Sequence, residues 1–185
     1  MDDGDVLAMV PNRVAGYRES KEVPTADRQL RTGRLRAMQL IPELERTRDE
    51  TLRYYSLEAS DLERRYGPGK WSVRFILHHL SDSETVLFDR IRRVLSEPRQ
   101  VLWVYDQDAW ASGLDYAQVP LELSRRIYQS VRDAIIYYAG RYYDEKGHLE
   151  FVHSVSGVRT LKDEFDKVAS HNEHHLSQIR SALQD

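Results

Sequence analysis

Apolar residues recur every three or four positions in four long stretches of the chain, which is the pattern of amphipathic helices. The pattern predicts helices over residues 35–55, 73–97, 121–143 and 161–183. Ser72 can cap the second helix, and Thr160 with Asp163 offers a reciprocal cap for the fourth. Pro42 either kinks the first helix or lies in the first turn of its main part.

The segments between these helices show no sustained period. Residues 1–33 are polar, with several Pro and Gly residues, and predict an irregular N-terminal arm. We expect a short helical piece at residues 60–66 and a long connection at residues 99–120, while residues 148–157 alternate weakly and could be extended. The predicted fold class is therefore all-α, a four-helix bundle over residues 34–185, in which the long connection allows a topology other than simple up-and-down.

The composition narrows the function. A chain of 185 residues with 41% hydrophobic residues is long enough to bury the core of one domain. The formal net charge of -3 argues against a protein that binds nucleic acid through overall basicity. Because the sequence contains no cysteine, it excludes disulfides and thiolate nucleophiles, and any metal site must use His, Asp or Glu.

Two further features bear on location. No stretch approaches the roughly 20 apolar residues that a bilayer crossing requires, so the sequence predicts no membrane span. Residues 1–5 are acidic, whereas a secretory signal begins with positive charge. We therefore expect a cytoplasmic protein.

The histidines form the pattern that points most clearly to chemistry. His171 and His175 are four residues apart on the fourth helix, at one edge of its buried face, so both imidazoles can reach one metal ion. On the second helix, His79 lies beside the core stripe and is a better inward-facing candidate than His78. One ring nitrogen from each of these three histidines would form a metal site inside the bundle, with coordination positions left for water or substrate.

The other histidines are expected to be ordinary surface residues. Helical phase places His78 and His174 in solvent, and we expect the same of His148 and His153, although His153 could reach the mouth of a site. A histidine pair at this spacing also occurs on surfaces by chance. From the residues alone, a metal site and a plain helical scaffold therefore both stay open.

Several motifs occur together in an order that resembles the DinB/YfiT-like superfamily of metalloenzymes. They are Gly69-Lys70-Trp71-Ser72-Val73-Arg74, His78-His79-Leu80-Ser81-Asp82-Ser83, Tyr105-Asp106 with Ala109-Trp110, and His171-Asn172-Glu173-His174-His175-Leu176 with Gln178-Ile179. The resemblance runs in order from about residue 35 to the C-terminus.

The resemblance implies a four-helix bundle of up-down-down-up type that binds a divalent metal, zinc or nickel, through His79, His171 and His175. It also implies a small-molecule substrate and a homodimer. Better characterised branches of the superfamily are S-transferases that use low-molecular-weight thiols such as bacillithiol, and a mycothiol-dependent isomerase. This chain is most similar to the YfiT-like branch, described as metal-dependent hydrolases.

We therefore expect a metal-dependent hydrolase or thiol S-transferase in which a bound metal activates water or a cosubstrate thiol. The alternative is a non-catalytic bundle, dimeric and either metal-stabilised or metal-sensing. A fourth protein ligand that closes the metal site would favour this alternative, whereas an open position beside a pocket would favour an enzyme.

No catalytic residue is assigned from the sequence, but several side chains are candidates for the surroundings of the metal. Trp71 and Trp110 could form pocket walls or pack in the ordinary way, and Arg159 could hold an anionic thiol cofactor. Three carboxylates could assist the metal, but each is more simply a surface or capping group. They are Glu84, Asp106 and Glu173.

Overall fold

The computed structural model describes residues 26–184, with side chains from residue 39 onward. Over these residues the chain forms helices and short strands in the order α1 (Ala26–Tyr54), α2 (Ala59–Leu62), α3 (Val73–Ser96), β1 (Val101–Leu102), α4 (Gln107–Gly113), α5 (Leu121–Tyr142), β2 (Glu150–His153), β3 (Gly157–Thr160) and α6 (Leu161–Leu183). The long helices α1, α3, α5 and α6 confirm the helices that the apolar pattern predicts.

The start of the first helix differs from the prediction. Helix α1 begins at Ala26, so residues 26–33 of the predicted arm are helical, and residues 1–25 lie outside the described residues. The helix also continues through Pro42, so its main part does not begin there. The proposed division between residues 1–33 and 34–185 stays a prediction.

The caps of α3 and α6 are those that the sequence predicts. The Ser72 hydroxyl accepts a hydrogen bond from the Phe75 amide at 3.4 Å, at the start of α3. At the start of α6, the Thr160 hydroxyl accepts from the Asp163 amide at 3.2 Å, and the Asp163 carboxylate accepts from the Thr160 amide at 2.8 Å. Because a cap satisfies the free amides of the first turn, these contacts fix where the two histidine-bearing helices begin.

The long helices form a bundle in which α1 and α3 each pack against both α5 and α6. On α1 and α6, the residue farther along one helix contacts the residue farther along the other. The same holds for α3 and α5. The pairs are Arg46 with Glu173 and Glu50 with Arg180 on α1 and α6, and His78 with Ser124 and Glu84 with Arg132 on α3 and α5. An up-down-down-up bundle requires this order, and the topology itself stays a prediction.

Charged side chains cover the outward faces of the helices. Arg46 of α1 is hydrogen-bonded to Glu43 at 2.6 Å and to Glu50 at 3.1 Å, and similar pairs follow other helices. Over residues 26–184, no helix combines the length and the apolar content needed to cross a membrane, as the sequence predicts.

The connection between α3 and α5 contains elements that the apolar pattern does not reveal. Strand β1 pairs in parallel with β2, and β2 pairs antiparallel with β3, which confirms that residues 148–157 are partly extended. Helix α4 is capped by Asp106, whose carboxylate accepts from the amides of Asp108 and Ala109, each at 3.0 Å. Helix α4 packs against α3, and Tyr105, just before α4, stacks near the His79 ring with 6.4 Å between centroids, so the connection covers the part of the bundle that carries His79.

A buried polar network crosses the centre of the bundle. The guanidinium of Arg132, on α5, is fully buried and donates to Glu84 of α3 at 2.9 and 2.5 Å. It also donates to Asn172 of α6 at 3.0 Å and to Thr47 of α1 at 2.9 Å. The expectation of a surface or capping role for Glu84 was therefore wrong, because a buried partner on another helix compensates its charge.

Candidate metal centre

Three imidazole nitrogens converge between α3 and α6. The Nε2 atom of His171 lies 3.3 Å from Nε2 of His79 and 3.2 Å from Nε2 of His175. Two nitrogen ligands on one tetrahedral zinc ion lie roughly 3.3–3.4 Å apart, since each bond is about 2.0–2.1 Å. The structure thus brings together the three histidines singled out by the sequence, in a spacing that fits one metal ion.

A hydrogen bond sets the orientation of His175. Its Nδ1 atom lies 2.8 Å from the amide oxygen of Gln178, an acceptor, so the ring proton is on Nδ1 and the lone pair of Nε2 faces the cluster. The ring of Trp71 packs edge-on against His79, with 5.1 Å between centroids, and limits the orientation of that ring as well. At His171, Nδ1 is buried and has no hydrogen-bond partner among the described residues.

The three rings are neutral at pH 7. Burial lowers the pKa of His79 to about 3, and the nearby His175 contributes to that shift. Burial likewise lowers the pKa of His175 to about 4, and burial together with both neighbouring rings lowers the pKa of His171. Metals bind the neutral form of imidazole, so the donor set is in its ligating state at physiological pH.

Two cavities reach this cluster. The Trp71 cavity, about 370 Å³, is lined by Tyr66, Gly69, Lys70, Trp71, Gln107, Asp108, His171, His174, His175 and Gln178. The Tyr105 cavity, about 230 Å³, is lined by Ser83, Val86, Leu87, Arg90, Tyr105, Gln107, Lys167 and His171. Because His171 and Gln107 belong to both linings, the cavities meet at the histidines.

A third and larger cavity does not reach the histidines. Its volume is about 690 Å³, and Trp103, Trp110 and Arg93 are among its lining residues, but none of the three clustered histidines is. It touches the Tyr105 cavity through Arg90 and Tyr105, which line both. The largest of these three cavities is therefore not one of the two that the histidines line.

The other predicted pocket residues are placed differently from one another. Trp71 lines a cavity at the histidines, whereas Trp110 packs on Tyr105 with 4.9 Å between ring centroids and lines the larger cavity. Asp106 caps α4, which is the capping role considered for it. Arg159 lies 3.7 Å from Asp163 and lines none of the three cavities.

Glu173 points away from the cluster, toward α1. Its carboxylate accepts a hydrogen bond from Arg180 at 2.7 Å and another from Arg46. These two arginines also bind Glu50, so Glu173 belongs to a partly exposed ion-pair network between α1 and α6. This placement agrees with the surface role considered for Glu173.

Two histidines expected in solvent are buried instead. His78 is 1% exposed, and its Nδ1 atom is hydrogen-bonded to Ser124 at 2.8 Å, while the Tyr116 ring covers it. His153 is 6% exposed, and its Nδ1 atom accepts from two backbone amides of the turn that follows. The surface prediction was wrong for both, because other elements pack over them, whereas His148 and His174 are exposed as predicted.

Several residues around the cluster received no role from the sequence, although Ser83 and Gln178 lie within the motifs that resemble the superfamily. Ser83 is four residues after His79, Lys167 is four before His171 and Gln178 is three after His175, so helical spacing could have identified them. Arg90 is eleven residues after His79 on α3, about three helical turns, so it lies on the His79 face, and the packing of α3 on α6 brings it to the same cavity as Lys167.

One family model matches most of the chain, and curated relatives match a similar share of it. Residues 43–179, which include all three clustered histidines, match the model of the DinB superfamily. A protein of Oceanobacillus iheyensis named "Putative metal-dependent hydrolase" is 30% identical over 128 residues, which are 69% of this chain and 73% of that protein. A protein of Halalkalibacterium halodurans with the same description is 26% identical over 128 residues, 69% of this chain and 74% of that protein.

A solved structure shows the same fold. It is YfiT from Bacillus subtilis, described as a probable metal-dependent hydrolase with an unusual four-helix bundle topology. The TM-score is 0.72, and the match covers 91% of this chain and 93% of that one at 20% sequence identity. At this identity the likeness establishes the four-helix bundle fold.

Replacement of Gln178 by leucine is expected to weaken metal binding about 10- to 100-fold, because the hydrogen bond that orients His175 is lost. Zinc titration in competition with a chelating indicator measures the change. Gln118→Leu, at an exposed glutamine before α5, is the matched control and should bind zinc as the unmodified chain does. Equal affinities for the Gln178 variant and the control would show that this hydrogen bond does not support a metal ligand.

Proposed function

The chain belongs to the DinB superfamily, and from this membership and the histidine cluster we propose that it is a metal-dependent enzyme of the hydrolase or thiol S-transferase type. The observation that carries the proposal is the convergence of three neutral imidazoles at a point where two cavities meet. The relatives named as metal-dependent hydrolases support the same class of chemistry.

His79, His171 and His175 would hold the ion, and zinc and nickel both suit a set of imidazole ligands. When bound, a divalent ion in such a site acts as a Lewis acid that lowers the pKa of water or a thiol. Since the chain contains no cysteine, a thiol nucleophile would have to come from a small-molecule cosubstrate.

Two hydroxyl groups are placed to act beside the histidines. The hydroxyls of Ser83 and Tyr105 are hydrogen-bonded at 2.5 Å, and Ser83 Oγ lies 3.2 Å from Nε2 of His79. Burial raises the pKa of Tyr105, so its hydroxyl stays protonated at pH 7 and can donate. We assign this pair to orienting the polar group of a substrate and donating a hydrogen bond to it.

The cluster has three protein ligands and an accessible side, which favours an enzyme over a structural metal site. A structural site is closed by a fourth protein ligand, whereas a catalytic site keeps a position for water or substrate. Among the described residues, the group whose ligand atoms come within 4.8 Å of one another consists of His79, His171 and His175. The two cavities that meet there give a small molecule access to the remaining side.

The proposal is tested by assaying zinc- and nickel-loaded protein for hydrolysis of activated esters and amides, and for transfer of bacillithiol to an activated aryl halide. We expect activity in one assay that disappears on chelation, returns with metal and falls at least about 100-fold in His79→Ala, which lacks one of the three nitrogens. His148→Ala, at an exposed histidine, is the matched control and should keep full activity. Activity that persists in His79→Ala, or loaded protein inactive in both assays, would contradict the proposal.

A further inference from the structure

We propose that the Tyr105 cavity binds the acid group of a small organic anion through Lys167 and Arg90, beside the histidine cluster. This inference rests on the proposed function, since it names the class of substrate for that site. It also assigns a direction to the ligand, with its acid group at the cationic end of the cavity and its reacting group toward His171.

Lys167 is the first element of this anion site. It lies on α6, four residues before His171, so its side chain shares a face with the histidines and lines the same cavity. Among the described residues, its ammonium group has no hydrogen bond or ion pair, although it carries three donors. Lys167 is exposed, although the protein atoms around it still lower its pKa by partial burial, and Arg90 and Arg159 add to that effect while Glu164 opposes it. The ammonium is therefore open to solvent and can receive an anion that enters the cavity.

Arg90 supplies the second positive charge. It is 4% exposed, and its Nη2 donates to the carbonyl of Trp103 at 2.5 Å. Within the described part of the chain, the carboxylate that pairs with it is Glu164, with 3.9 Å between Arg90 Nη1 and Glu164 Oε2, and that oxygen has no hydrogen-bond partner there. The charge of Arg90 is therefore only loosely paired, and Arg90, Lys167 and Glu164 together are positive by one charge.

The remaining lining of the cavity limits the size and shape of the ligand. The volume of about 230 Å³ suits a compact molecule rather than a large cofactor. Val86 and Leu87 form an apolar wall, which fits a short carbon chain, and the hydroxyls of Ser83 and Tyr105 lie nearer the histidines. A small carboxylic acid or phosphate ester with a short chain matches this order of contacts.

The other cavity lacks this preference for anions. In the Trp71 cavity, the cation Lys70 is accompanied by the carboxylate of Asp108. Burial lowers the pKa of the lining histidines His171 and His175, which are neutral at pH 7. Opposite charges in one lining do not select either sign of ligand. The charge asymmetry between the two cavities therefore assigns the acid group to the Tyr105 side.

The test is isothermal titration calorimetry of the full chain, metal-free and zinc-loaded, with succinate and inorganic phosphate as anionic probes and succinamide as the uncharged match. We expect the carboxylate or the phosphate to bind, which identifies the preferred acid group, and succinamide not to bind. In Lys167→Met, binding should weaken about 10- to 100-fold because a charge-assisted hydrogen bond is lost. Lys167→Arg keeps the positive charge and should retain most of the anion affinity of the unmodified chain.

The matched control is Lys146→Met, which removes a lysine whose ammonium lies over the Tyr142 ring, outside the lining of either cavity at the histidines. It should bind the anions as the unmodified chain does. Equal anion affinity in Lys167→Met and Lys146→Met, or succinamide binding as tight as succinate binding, would overturn the inference. Metal-free protein is titrated as well. If it binds the anions but the chain takes up no metal, the proposed function fails while this inference stands.

Discussion

Arg132→Met is expected to lower the free energy of unfolding by about 3–5 kcal/mol, because it leaves the carboxylate of Glu84 without its partner in the core. Arg132 and Glu84 are both fully buried, and their side chains are joined by hydrogen bonds of 2.9 and 2.5 Å. The hydrogen bonds that Arg132 donates to Thr47 and Asn172 would be lost as well. Urea denaturation followed by circular dichroism measures the change in unfolding free energy.

Two further variants separate the buried charge from a general effect of losing an arginine. In Arg132→Met combined with Glu84→Gln, both charges are absent, so we expect a large part of the lost stability to return. Arg48→Met removes a partly exposed arginine bonded to Asp133 at 2.9 Å, and should change stability by no more than about 1 kcal/mol. A loss below about 1 kcal/mol in Arg132→Met would show that the pair does not stabilise the bundle.

This network also positions one of the clustered histidines. Asn172, the residue after His171, accepts hydrogen bonds from Tyr128 at 2.9 Å and from Arg132 at 3.0 Å, both on α5. The amide group of Asn172 also donates to Thr51 on α1 at 3.2 Å. The network thus ties α6 to α1 and α5 at the level of the histidines and fixes the position from which His171 faces His79.

The long helices could be predicted because each buries one stripe of apolar residues, so the period is visible in the sequence. Their caps were visible too, as Ser72 and the pair Thr160 and Asp163 are local signals. Helix α4 and strand β1 could not be found in the same way. Each is too short to show a period, and packing against α3 or pairing with β2 stabilises them.

The histidines show where sequence reasoning about the site succeeds and fails. His171 and His175 share a helix face, so their proximity follows from spacing alone, and the inward phase of His79 completes the set. The burial of His78 depends instead on Ser124 and Tyr116, which arrive from elsewhere in the chain. A polar residue covered by distant elements looks the same in sequence as one in solvent.

Several expectations concern properties beyond the fold and the histidine cluster. The choice between zinc and nickel and the use of a thiol belong to the proposed function. The homodimer and the cytoplasmic location stay predictions, and each has a direct measurement in solution mass determination and cell fractionation.

His175→Ala is expected to abolish metal binding. His175 is buried, its Nε2 atom lies 3.2 Å from that of His171, and Gln178 holds its ring in the ligating orientation. Without it, two imidazoles remain, and they are too few to hold a divalent ion through purification. His148→Ala, at an exposed histidine, is the matched control, and thermal unfolding verifies that both variants are folded.

Elemental analysis of tag-free protein, beside His175→Ala and His148→Ala, tests the metal centre most directly. We predict about one divalent ion per chain in the unmodified protein and in the His148 variant, and none in the His175 variant. The same metal content in the His175 variant as in the unmodified protein, or no metal in any of them, would contradict the three-histidine site and leave the bundle as a scaffold without a metal.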